Sequence, residues 1–299
     1  MIHPALVFVA SLPLIFRLVA FVVPDQWLEP YAYWSAAQLN TRSEGDDLKP
    51  RWRNVGWWQE TDDFSQAGEA LARRLLAFAE AEPGGNFFDI GHGAGESLPL
   101  HLSTALPPTY LTALTSLSSE TRAAQELINN RFSDLDTRIE WFTGSATYRP
   151  GKDLDHPLNP MRGYLGKRSL PQPTSDLDNA ESDLDMEDEH ASNLPLLPSH
   201  FDFVYILDAI YHFPPSVPYF LASVFPTLRP GVGIIAYTDI LPPPNLNAFV
   251  GHLILPTALG VPTRNLMQRP KTLEEYAYLV RRIGFEDIVV EDWTDGQEG

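Results

Sequence analysis

The sequence predicts a doubly wound, mostly parallel α/β sheet. Short apolar runs alternate with stretches of helical spacing along most of the chain. A turn carrying three glycines, "FFDIGHGAGESL" at 87–98, follows the first apolar run. The 299 residues, 44% of them apolar, suffice for one sizeable domain with a full core or for two small ones.

The elements follow in order. "LARRLLAFAEA" (71–81) has helical spacing and stops at Pro83-Gly84-Gly85. "NFFDI" (86–90) is a short strand running into the glycines. "ESLPLHLSTAL" (96–106) reads as a helix that tolerates Pro99 only in its first turn. "TYLTALT" (109–115) is a second strand, and "SETRAAQELINNRF" (119–132) a second helix with Ser119 as N-cap. "RIEWFTG" (138–144) is a third strand. "FDFVYILDA" (201–209), a helix around "VPYFLASVFPTL" (217–228) and "GVGIIAYTDI" (231–240) come next. "TLEEYAYLVRRIG" (272–284) and "FEDIVVEDW" (285–293) complete the alternation as helix and strand. No internal repeat is visible.

Charge and composition exclude several classes. Acids outnumber bases 39 to 21, a net charge of −18, so the surface repels phosphate backbones and no nucleic-acid partner is expected. The chain has no cysteine, which removes disulfides, thiolate metal sites and thiol nucleophiles together and fits a reducing compartment. The expected location is therefore cytoplasmic, with a membrane contact left open by the N-terminus.

Two segments depart from the alternation. Residues 1–50 form an apolar N-terminal extension to the domain at 51–299. Within it, 5–23, "ALVFVASLPLIFRLVAFVV", is long enough to span a bilayer. Arg17 opposes that, at about 2.5–3.5 kcal/mol mid-membrane. A membrane anchor or interfacial helix and an apolar helix packed over the domain both remain open, the latter with Arg17 snorkelling outward. From about 148 to 199 the chain is rich in Pro, Asp, Glu and Ser, and "DLDNAESDLDMEDE" (176–189) holds eight acids and no base. Such a stretch reads as a disordered surface insertion, with a phosphorylation-regulated or partner-binding segment as the second reading. Asp153, Asp155 and His156, then Asp183, Asp185 and Glu187, then Glu189 and His190 read as solvated charge. No metal site is expected.

The glycine turn is the candidate site. Gly91, Gly93 and Gly95 allow a sharp bend and close approach of a ligand to the backbone. The spacing is G-x-G-x-G, whereas a dinucleotide fingerprint needs glycine at 96, where Glu96 stands. A glutamate in the first helical turn would repel a pyrophosphate, so a cofactor without phosphates suits the turn better.

The block "FFDIGHGAGESLPLHL" resembles the first motif of class I S-adenosylmethionine-dependent methyltransferases. "FDFVYILDAIYHF" (201–213) looks like their fourth-strand motif, and "LRPGVGIIAYTD" (228–239) is similar to the turn and fifth strand, with Val232 at a usual glycine. "NVGWW" (54–58), "LTALTSLSSE" (111–120) and "IVVEDWT" (288–294) resemble the small-molecule branch that includes tocopherol, sterol and cyclopropane-fatty-acid methyltransferases. The resemblance covers roughly residues 51 to 146 and 200 to 294. It implies the class I methyltransferase fold, S-adenosyl-L-methionine as cofactor and a small-molecule acceptor. Asp89 would order the loop beside the cofactor's amino group, with Gly91, His92, Gly93 and Gly95 along its methionine and ribose. Asp208 and Ala209 would line the pocket, and Tyr211 and His212 would face the reaction centre. Trp57 and Trp58 would offer aromatic faces to the sulfonium, against ordinary packing as the alternative.

The chain departs from the family in three places. Thr115 stands where an acid usually ends the second strand, and a hydroxyl can still bond the ribose once. Gly144-Ser145-Ala146 replaces the usual Gly-Asp-Ala, leaving Ser145 a weaker adenine contact. The resemblance implies a further helix and antiparallel edge strand after "EDWTDGQEG", and the expectation is that these are absent, leaving a sheet edge uncovered. Methyl transfer from a sulfonium demands alignment more than strong acid–base chemistry. His212 is a candidate base for a hydroxyl acceptor, or a strand-capping histidine. The apolar run 245–266, "NLNAFVGHLILPTALGVPTRNL", predicts an apolar or lipid-like acceptor. Two competing readings are a non-catalytic membrane-associated protein of the same fold and a nicotinamide-dependent reductase.

Overall fold

The structure, a computed structural model, describes residues 40, 49–132, 134–162, 200–241 and 270–294. The N-terminal apolar run 5–23, the most acidic stretch at 176–189 and the apolar run 245–266 lie outside the described residues. Among the described residues no helix is long and apolar enough to cross a membrane.

Five parallel strands form the sheet: β1 (Asn86–Ile90), β2 (Tyr110–Thr115), β3 (Arg138–Thr143), β4 (Phe203–Ile206) and β5 (Ile234–Tyr237). Their order is β3-β2-β1-β4-β5, with β1 hydrogen-bonded to both β2 and β4. The chain winds outward from β1 to β3, then crosses to β4 on the other side. Strand order reverses between β1 and β4, where an open α/β sheet leaves a crevice at its carboxyl edge.

Alternation along each strand supplies the two faces. Phe87, Leu111, Phe203 and Tyr205 face one apolar layer with Leu75, Leu98, Ala124 and Ile128. That layer draws on helices α1 (Phe64–Ala79), α2 (Leu98–Leu102) and α3 (Ser118–Arg131). Phe88, Ile90, Leu114, Val204 and Ile206 face the other layer, with residues of α4 (Val217–Val224) and α5 (Leu273–Ile283). Both faces are covered, so β1, β2 and β4 are buried along nearly their whole length.

Several boundaries differ from expectation. α1 starts at Phe64, seven residues before the apolar run, because Asp63 caps it by accepting from Gln66 N at 3.0 Å. α2 is five residues long, since the glycine turn continues to Ser97. Ser119 lies inside α3 and not at its cap. Residues 285–293 form no strand: Phe285 and Ile288 pack on the core, Val289 is exposed, and Trp293 turns back onto α1. The part of the expected disordered insertion that the structure describes, up to 162, is ordered. Residues 149–162 make packed turns, with Leu158 and His156 buried. His156 is therefore not solvated, and Asp153 pairs with Arg149 at 2.9 Å.

Candidate functional site at the carboxyl edge of the sheet

Gly91, Gly93 and Gly95 all have positive φ, at 83°, 55° and 93°. Gly91 N donates to the Leu114 carbonyl at 2.8 Å, tying the turn to the end of β2. A Cβ on Gly91 would stand 2.8 Å from that of Ala209, and one on Gly95 would stand 2.5 Å from that of Ala124. The turn is thus wedged between the segment after β4 and helix α3. Only at Gly93 is there open space, with nothing within 4 Å of an added Cβ. That is the cradle a ligand following the backbone requires.

Asp89, the last but one residue of β1, is buried. It accepts from Ser97 Oγ at 2.6 Å and faces His101 Nε2 at 3.2 Å. Ser97 and His101 stand one helical turn apart, so the pair clamps the start of α2 to the strand. Glu96 precedes the helix and does not occupy its first turn. It accepts from Arg51 N at 2.9 Å, and burial raises its pKa. The expected repulsion from the first turn is thereby replaced by a buried carboxyl holding the leading segment.

His92 is buried in the turn with neither ring nitrogen hydrogen-bonded, its ring edge-on to Trp141. Burial pushes its pKa down, against the nearby carboxylates of Asp89 and Glu120, so the ring is neutral and presents one donor and one acceptor. At the end of β2, Thr115 donates to Glu120 Oε2 at 2.6 Å, and Arg53 Nη1 holds Glu120 Oε1 at 2.5 Å. The acid missing from the strand end is present on the first turn of α3. Its distance from Thr115, five residues with helical placement, was the signal available in the sequence.

Ser145 follows β3. Its hydroxyl accepts from Thr147 N at 3.1 Å and its carbonyl lies 2.9 Å from His156 Nε2, with Ala146 buried beside it. His156 is missed as a site-shaping residue by sequence reasoning: it reads as surface charge, yet it props the loop after β3.

After β4, Asp208 has φ 50°, and its carboxylate accepts from Val55 N at 2.7 Å and Tyr211 Oη at 2.9 Å. Tyr211 and His212 form a short 3-10 turn, their rings 4.3 Å apart. Thus Asp89, the glycine turn, Thr115, Ser145, Asp208 and Tyr211 are gathered at one edge of the sheet. Trp57 is different. The Arg74 guanidinium lies 4.1 Å over its ring and Trp293 meets it edge-on, so this tryptophan is built into protein packing. Trp58 stands outside that stack, its Nε1 donating to the Val55 carbonyl at 2.8 Å. Among the described residues no cluster of three metal-ligating side chains occurs.

Comparisons agree with this architecture. No family profile matches the chain. The chain is 28% identical over 261 residues to erythromycin 3''-O-methyltransferase of Saccharopolyspora erythraea, covering 81% of this chain and 67% of that protein. Among solved structures, the [4+2]-cyclase SpnF superposes with a TM-score of 0.50 at 15% identity, over 81% of this chain and 66% of that one. The Mycobacterium tuberculosis cyclopropane synthase MmaA2 aligns at 14% identity with a TM-score of 0.48, over 78% of this chain and 66% of its own. The chain spans about two thirds of the length of these proteins. With its strand order and its glycine turn, the chain has the Rossmann-like fold of the class I S-adenosylmethionine-dependent methyltransferases, and in sequence it is similar to an O-methyltransferase.

Proposed function

We propose that the chain transfers a methyl group from S-adenosyl-L-methionine to a hydroxyl of a small, largely apolar acceptor. The observation that carries it is the open backbone cradle at Gly93, flanked by unpartnered His92 and by the carboxyl of Glu120 near it. A phosphate-free nucleoside fits such a site. Its ribose hydroxyls need acceptors, which carboxylates provide, whereas a pyrophosphate would meet acids on several sides.

In this reading Asp89 fixes the turn through Ser97 and His101, and the backbone of Gly91, Gly93 and Gly95 lies along the methionine and ribose. His92 offers its free donor to the cofactor's carboxylate. Glu120 takes the ribose role that Thr115 alone fills weakly, with Thr115 and Arg53 holding its carboxylate. Ser145 and Ala146 border the adenine, while Asp208 and Ala209 line the pocket beside Tyr211 and His212. Trp58 is the tryptophan left for the sulfonium, since the face of Trp57 carries Arg74. The bound cofactor supplies an electrophilic methyl on a good leaving group, so the protein's task is alignment and exclusion of water.

Hydroxyl methylation is favoured because the sequence relative is named an O-methyltransferase of erythromycin. An apolar acceptor is favoured by the run at 245–266. Calorimetry with S-adenosylmethionine should give micromolar binding. Turnover should follow with at least one member of a panel containing a macrolide glycoside, an isoprenoid phenol, a long-chain alcohol and a small polar amine. Turnover of the amine alone overturns the acceptor reading. Absence of binding at millimolar cofactor overturns the activity in favour of a non-catalytic protein.

A further inference from the structure

Asp208 is an unusual residue. Its backbone is left-handed, which costs an ordinary side chain on the order of 1 kcal/mol and marks positions held by their surroundings. What holds it is Thr238 Oγ1, 2.7 Å from its amide nitrogen, together with Val55 N and the Tyr211 hydroxyl on its carboxylate. Among the described residues no cation pairs with it. The titratable groups around it are Tyr211 and, at the end of β5, Asp239, to which Tyr276 Oη donates at 2.7 Å. Two carboxyls therefore stand near the ends of adjacent parallel strands, each carrying a tyrosine. A structural role is better served by an amide or a paired carboxylate than by a half-buried acid without a counter-charge.

We propose that Asp208 is the general base that takes the proton from the acceptor hydroxyl, with Tyr211 holding its carboxylate in place. The assignment rests on the hydroxyl-methylating reading above and deepens it. Asp208 sits beside the strand-order reversal, across from the Gly91 turn that packs on its neighbour Ala209. Part of the residue remains open, as a group that must meet an acceptor requires. In the reaction the acceptor O–H bond breaks and its proton passes to a carboxylate oxygen of Asp208. The electron pair left on oxygen forms the O–CH3 bond as the S–CH3 bond breaks, its pair staying on sulfur. Asp208 then returns the proton to solvent. Burial, opposed by the hydrogen bonds from Tyr211 and Val55 and reinforced by Asp239, pushes the carboxyl up to about 7. A base poised there accepts a proton at neutral pH and holds it only weakly.

The test has arms that separate this proposal from the reading beneath it. In the cofactor-free full chain, carbon-13 NMR of labelled aspartate should show one carboxyl titrating near neutrality that disappears in D208N. A spectrum in which every aspartate titrates in the ordinary carboxylate range overturns the proposal. With the hydroxyl acceptor that the panel identifies, kcat should rise with pH through the same value. D208N should lower kcat by about 100-fold or more and abolish the rise, with cofactor affinity within about threefold of wild type. Asparagine tolerates the left-handed backbone, so the variant is expected to fold. Should it not, Y211F serves: losing a hydrogen bond that favours the charged form should move the rising limb upward by about one pH unit. H212N should keep the limb. A limb that survives in D208N, or vanishes in H212N alone, overturns the assignment of the base. If wild type methylates no hydroxyl, the underlying reading fails and takes this one with it.

Discussion

Glu120 shows how one side chain can supply what a strand end lacks. Thr115 ends β2 with a hydroxyl, and that hydroxyl is spent on Glu120, whose other oxygen is held by Arg53. The carboxylate is thus preorganised by a donor from the sheet and a cation from the leading segment. If it serves the ribose, E120Q should weaken S-adenosylhomocysteine binding by about 10–100-fold, the range for losing one charge-assisted hydrogen bond in a buried site. Against an analogue lacking a ribose hydroxyl the loss should be much smaller, because the partner is already gone. Equal losses for both ligands, measured by calorimetry, would assign Glu120 to scaffolding alone. At this scale the sequence is a partial guide. Asp89, the glycines, Asp208 and Tyr211 are legible because they sit in contiguous motifs. Glu120 leaves only its five-residue spacing from Thr115 as a signal, and Ser97, His101 and His156 leave none, because their roles arise from a short helix closing back on β1 or from a loop folding back.

Elements were read best where burial dictated them. β1, β2 and β4 are buried on both faces, and such strands are short apolar runs that tolerate few alternatives. The run at 285–293 fails for the complementary reason: its apolar residues Phe285 and Ile288 are partly buried by packing on the core without pairing to a strand, so apolar content alone does not make a strand there. The glycine turn is the element whose sequence most exceeds what packing alone demands, and two of its positions separate fit from function. G95A would press a Cβ to 2.5 Å from that of Ala124 at a φ of 93°, so it should destabilise by about 2–5 kcal/mol, seen as a marked fall in Tm. G93A meets nothing within 4 Å and has a φ near the left-handed minimum, so it should cost only about 1 kcal/mol. Its methyl would nevertheless enter the cradle, and cofactor affinity should fall by tenfold or more while the fold survives. Unchanged cofactor affinity in a folded G93A protein would remove the cradle from the site.

Across the whole molecule, Asp208, the proposed base, also ties distant parts of the chain together. Val55, in the leading segment, donates to Asp208 after β4, and two residues on, Trp57 is stacked under Arg74 of α1. Arg74 also lies 4.7 Å over the ring of Trp293, which meets Phe78 and Trp57 edge-on. Residues at the two ends of the described domain are therefore joined through one guanidinium between two indoles. Each such contact contributes about 0.5–2 kcal/mol. This clasp holds the leading segment in the position from which Val55 reaches the site. W293A should remove both edge-on contacts and one cation–π contact, lowering stability by about 1–3 kcal/mol. Its more telling effect should be on the leading segment: amide hydrogen exchange at Val55 should speed up by tenfold or more, while amides of β1 and β2, enclosed by both apolar layers, should slow or quicken only with global stability. If Val55 exchange changes no more than those strand amides do, the tail is merely packed against α1 and the leading segment is held by the contacts of Arg51, Arg53 and Val55 with Glu96, Glu120 and Asp208.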